Sequence, residues 1–205
     1  NIADLSSMSS AAIAGETYRL LGIPTDRRTS QDLSEGETAA SSGTVLERLL
    51  EHDLQMGLAN LQPDRDWSVT RTGSVSQFSQ FTHLGELQDL FESVPLLRSA
   101  LGRDYEVSTD VMISLPDPER YSTARVLHAA VSSKFTIRSD RVQNVRHEFS
   151  VLVRNRKGRL PHLVLVTAEP MPSRLVSIAR GTGEIDAVYH VLFDELDVVL
   201  RGDRL

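Results

Sequence analysis

Cysteine is absent from these 205 residues, which excludes disulfides, thiolate nucleophiles and cysteine-ligated zinc. No apolar run approaches the roughly 20 residues that a membrane-spanning helix needs. The opening NIADLSSMSS has neither the basic start nor the apolar core of a secretory leader. These absences together suit a cytoplasmic protein. Lysine is nearly missing as well. Of 22 Lys and Arg residues only Lys134 and Lys157 are lysine, leaving 20 arginines. Codon bias accounts for much of such an excess. Arginine nevertheless supplies planar, paired donors that match phosphates and guanine edges.

What is present is ordinary for a globular protein: 40% hydrophobic and 24% charged residues, enough for one domain with a substantial core. The formal net charge of -6 argues against a general nucleic-acid binder. Residues 128–161 run against that balance, with eight Arg and Lys and only two acids, Asp140 and Glu148. An acidic body with one basic segment suits docking on DNA in a single orientation.

Periodicity predicts an amphipathic helix over 9–22, a loop over 24–43, and a strong helix over 42–60 capped by Ser42, with an apolar stripe of Val45, Leu46, Leu49, Leu50, Leu54 and Leu58. A short strand over 66–73 and a helix over 75–92 follow. The pattern then changes to strands over 105–115 and 125–137. Ser139 caps a helix over 140–154, the turn NRKGR is basic, and 162–170 is a continuously apolar strand. Ser173 or Thr182 starts the last helices, with an apolar run from Ile185 to Val199. The fold class expected is α/β, a central mixed sheet flanked by helices, in one domain whose first 102 residues are mainly helical.

Cleaving a phosphodiester calls for a divalent cation on oxygen ligands and a cationic group near the attacking water. Asp110 lies in a strand among Val107, Val111 and Ile113, where an ionised carboxylate needs a partner. Lys134 closes the next strand. Glu148 follows on a helix, where Arg141, Val145 and Glu148 share one face. On spacing alone Asp110 and Glu148 are more often plain surface acids, and Glu47 beside an apolar stripe more often still. Ser132 and Ser133 make poor nucleophiles because no His-Asp pair is placed beside them. The six histidines lack zinc spacing, and Gly181-Thr182-Gly183 lacks the pattern of a phosphate loop.

Long runs decide between these readings. FTIRSDRVQN, LVRNRKGRLPH, VTAEP with PSR, and IARGTGEIDAVYH resemble the NgoMIV-type restriction endonucleases of the PD-(D/E)xK nuclease superfamily. Weaker likeness continues through DYEVSTDVMI, the Trp67 region, the Glu47 helix and the first serines. The resemblance implies magnesium-dependent cleavage of double-stranded DNA at a palindrome containing CCGG, GCCGGC above all, with 5′ overhangs. It also implies a homodimer or a homotetramer built as a dimer of dimers. It makes Asp110, Glu148 and Glu47 metal ligands and Lys134 the residue that orients or activates water, with Ser132 in the same catalytic group. It gives Arg138, Asp140 and Arg141 the CCGG core, Arg174 the outer base pair, and Ser6 a lesser share.

The match has departures. Thr109 stands where the superfamily name has proline, the interval from Asp110 to Lys134 is short, and no amide side chain lies near Ala40. The rival reading is a sequence-specific DNA-binding protein that is catalytically silent or senses modification. An intact acid–lysine–acid set argues against silence.

Overall fold

The computed structural model describes residues 8–22, 38–71, 73–94, 108–117, 124–137, 139–180 and 183–202. The side chains of 38–42 and 139–142 lie outside that description. Five strands form one mixed sheet in the order β1-β2-β3-β4-β5. They are β1 (Ser68–Thr70), β2 (Val111–Pro116), β3 (Arg125–Lys134), β4 (His162–Thr167) and β5 (Ala187–His190). The first three are antiparallel, and β4 and β5 run parallel to β3. The helices are α1 (Met8–Leu20), α2 (Thr38–Leu61), α3 (Thr82–Ser93), α4 (Ser139–Asn155), α5 (Pro172–Ala179) and α6 (Phe193–Arg201). Both parallel connections pass through a helix, α4 between β3 and β4 and α5 between β4 and β5, as parallel pairing requires.

Each face of the sheet has its own core. On one, Val145, Phe149 and Leu152 of α4 pack with Met112, Leu127, Ala130, Leu163 and Leu165. On the other, Leu50, Leu54 and Leu58 of α2 pack against Trp67, Val69, Val111, Ile113, Ala129 and Val131. Strand side chains alternate between faces, so a helix from each layer reaches the same strand. The register slips between Ile113 and Ser114, leaving His128 without a ladder partner in β2. Buried Gln80 braces this bulge, accepting from Leu127 N and donating to Leu127 O, both at 2.8 Å. Gln55 of α2 grips β1 the same way, accepting from Val69 N at 2.9 Å.

Several boundaries differ from the sequence expectation. The helix expected from Ser42 begins at Thr38, because no strong breaker separates the two. The helix expected over 75–92 is broken. Ser74 caps a 3-10 turn over Val75–Gln77, Phe78 is extended, and α3 starts only at Thr82. Burial of Phe78 and Phe81 overrides the helical spacing there. Asp110 does not sit inside a strand but one residue before β2. β4 ends at Thr167, before the expected end at 170. Ser173 is no cap, since Met171 holds that position and Pro172 opens the helix. The run from 184 to 200, expected as helix, contains strand β5 before α6. Its Val188 and Tyr189 suit an edge strand as well as a helix. Among the described residues no helix is long and apolar enough to cross a membrane.

Candidate active site

The antiparallel register pairs Val111 with Val131, which sets Asp110 beside the last residues of β3. One oxygen of Asp110, Oδ2, accepts three hydrogen bonds. Lys134 Nζ donates at 2.6 Å, Ser133 N at 2.7 Å and Ser132 Oγ at 3.2 Å. The Lys134 and Asp110 side chains are 20% and 26% exposed, so the ion pair borders solvent without being washed by it. Ser132 is fully buried, which makes it an internal donor to the carboxylate and not an accessible nucleophile.

Two more carboxylates feel this pair. Glu148, half-buried on α4, has its pKa raised, first by burial and then by the charge of Asp110, while Lys134 and His147 pull it down. Glu47, on α2, is also raised by burial first and by Asp110 second, against Arg71 and Lys134. Arg71, just past β1, donates Nε to Glu51 at 2.9 Å and stands 3.8 Å from Glu47. Thus α2 and α4, from opposite layers, each bring an acid to the Asp110–Lys134 end of the sheet. Four sequence-predicted residues, Glu47, Asp110, Lys134 and Glu148, are brought into one electrostatic neighbourhood, with Ser132 beneath it.

The donor set is three carboxylates around one ammonium. Hard oxygen donors of this kind fit magnesium, and two of them carry raised pKa values that a dication would relieve. Among the described residues no three acids or imidazoles already stand close enough to hold an ion.

The expected DNA-contacting residues are less fully described. Ser6 and Arg138 lie outside the described residues. Asp140 and Arg141 occupy the first turn of α4, with side chains outside the description. Arg174 lies in α5, where Nη1 donates to Glu169 Oε2 at 3.1 Å. Sequence reasoning missed Glu169 and Arg71. The first could have been suspected from an acid inside the apolar run VTAEP, since such a charge needs buried partners. The second had no signal.

A family model described as NgoMIV restriction enzyme matches residues 1–120 and 118–202. The chain belongs to the NgoMIV restriction enzyme family. The type II restriction enzyme NgoMIV of Neisseria gonorrhoeae is 41% identical over 203 residues, covering 84% of this chain and 71% of that protein. The two segments matched by the NgoMIV family model overlap at 118–120, between Asp110 and Lys134. A solved structure of Bse634I restriction endonuclease shares the fold at 13% identity, with a TM-score of 0.50 over 89% of this chain and 79% of that one. The restriction-endonuclease-like mixed sheet expected from sequence is therefore the fold of this NgoMIV family member.

Proposed function

We propose that this chain cuts double-stranded DNA at a palindrome containing CCGG, GCCGGC in the simplest case, leaving 5′ overhangs with magnesium as cofactor. The observation that carries the reading is the Lys134–Asp110 contact at 2.6 Å with Glu47 and Glu148 electrostatically coupled to it. Asp110, Glu148 and Glu47 would hold the metal, and bound magnesium would neutralise charge at the scissile phosphate. Lys134 keeps an ammonium where the attacking water approaches, and its bond to Asp110 fixes its direction. Ser132 Oγ and Ser133 N both donate to Asp110, which holds its carboxylate beside Lys134 at the end of the sheet.

Arg138, Asp140 and Arg141 read the CCGG core. Arginine donates to guanine O6 and N7, and aspartate accepts from cytosine N4. Arg174 reads the outer pair, with a lesser share for Ser6. The protein acts as a single endonuclease domain in the cytoplasm, assembled as a homodimer or homotetramer. An exposed apolar band at β5 and α6 supports assembly: Tyr189 is 63% and Phe193 62% exposed, beside Val188, Val191 and Leu200.

Incubation with plasmid DNA of known sequence and magnesium tests the reading. Fragments ending at CCGG-containing sites are expected. Binding without cleavage would leave the silent DNA-binding alternative, and cutting of plasmids that lack the site would leave a non-specific nuclease.

A further inference from the structure

Among the described residues Glu169 is the one charged side chain that is buried, at 0% exposure. It lies just past β4, outside the acid set of the candidate active site. Its Oε2 accepts from Ile137 N at 2.6 Å and from Arg174 Nη1 at 3.1 Å. Its Oε1 accepts from Met171 N at 3.0 Å. Its own N–H donates to Thr167 Oγ1 at 3.1 Å, and its carbonyl lies 2.7 Å from His190 Nε2. Burying a carboxylate is costly, and an apolar residue of similar size would serve a core at least as well. The charge is kept where it ties two particular segments together. Ile137 directly precedes Arg138, and Met171 directly precedes the helix of Arg174. The seat of that helix is fixed on its far side too, where Ser173 N donates to Ser10 Oγ of α1 at 3.0 Å.

We propose that Glu169 is the positioning residue for sequence discrimination, coupling the segment that reads the CCGG core to the helix that reads the outer base pair. The inference rests on the function proposed above. A paired contact with guanine needs the guanidinium plane held in advance. The bond from Glu169 to Nη1 restrains the guanidinium of Arg174, whose side chain stays 23% exposed. The bond to Ile137 N sets where the chain enters the Arg138–Arg141 cluster.

Glu169→Gln tests this, because it keeps the size and an acceptor while removing the charge. Purified full-length chain is assayed on oligonucleotide duplexes carrying the preferred site, or that site changed at the outer or the inner pair. The ratio of cleavage on preferred over outer-changed duplex is expected to fall at least ~5-fold, the lower end of what one paired contact provides. That fall should exceed any loss of rate on the preferred duplex. Adding Glu169→Gln to Arg174→Ala should cost no further outer-pair discrimination, since both act through one guanidinium. Unchanged ratios in a variant that merely melts earlier would overturn the proposal, as would additive losses in the double variant. If the Gln variant does not fold, Glu169→Asp takes its place, since it keeps the charge but cannot span both amides, and the same ratios decide. A wild-type chain with no preference for any CCGG duplex would instead refute the nuclease reading itself and this proposal with it.

Discussion

The ammonium of Lys134 and the carboxylate of Asp110 meet at 2.6 Å, although 24 residues separate them in the chain. Nothing but the β2–β3 register brings them together. Lys134→Ala removes the cation, and Asp110→Asn removes the charge that aims it. Either change is expected to lower the cleavage rate by roughly 10²–10⁴-fold, the range of a positioned proton-handling group. Specific binding measured in calcium should survive. Loss of binding together with loss of cutting would contradict the assigned roles.

Acidity should act through Glu148 and Glu47. Both have pKa values raised mainly by burial, so the folded chain holds their protons at pH values where the unfolded chain has released them. Stability of the metal-free protein is therefore expected to fall as pH rises from the ordinary glutamate range through the raised values. Thermal melts at a series of pH values check this. Glu148→Gln should flatten the slope, and magnesium should reduce it by stabilising the ionised forms. A slope unaffected by either would remove these acids from the coupled set.

Arg141→Ala probes the reading of the core. Its expected cost is about 1–3 kcal/mol of discrimination, seen as weaker preference for CCGG over a one-base change in competition binding. Equal preference before and after the substitution would move recognition elsewhere.

Phe149 is completely buried where α4 lies on the sheet. Phe149→Ala is expected to destabilise the protein by about 3–5 kcal/mol. Denaturant unfolding measures this. A loss well under 1 kcal/mol would mean that α4 is not anchored there.

The exposed band on β5 and α6 makes a further prediction. Tyr189→Asp combined with Phe193→Asp should reduce the assembly state in analytical sedimentation without a matching loss of melting temperature. Unchanged sedimentation would place the contacts between subunits elsewhere.

Much of the sheet was legible because β3, β4 and α4 carry long, strongly patterned runs. β5 was not, because Val188, Tyr189 and Val191 fit helical and strand spacing alike. The break at Phe78 was hidden for a similar reason: two buried aromatics at helical spacing can also bridge a turn. Asp110 was recognisable as an acid among apolar neighbours, yet its place ahead of β2 depends on pairing with β3. Glu47 was uninformative by pattern and became a candidate only through family resemblance. Its partner Arg71 stays silent in sequence, since an ion pair 24 residues apart leaves no local trace. Glu169 was visible inside a quoted run, but pattern alone does not tell a sealed carboxylate from a wet one.

The two acids that flank Asp110 ride on helices from opposite layers of the sheet. An intermediate with only one layer docked therefore holds an incomplete ligand set. On the proposed function, a nascent or partly unravelled molecule would be harmless to the genome around it, and the capacity to cut would arise only with the finished sandwich.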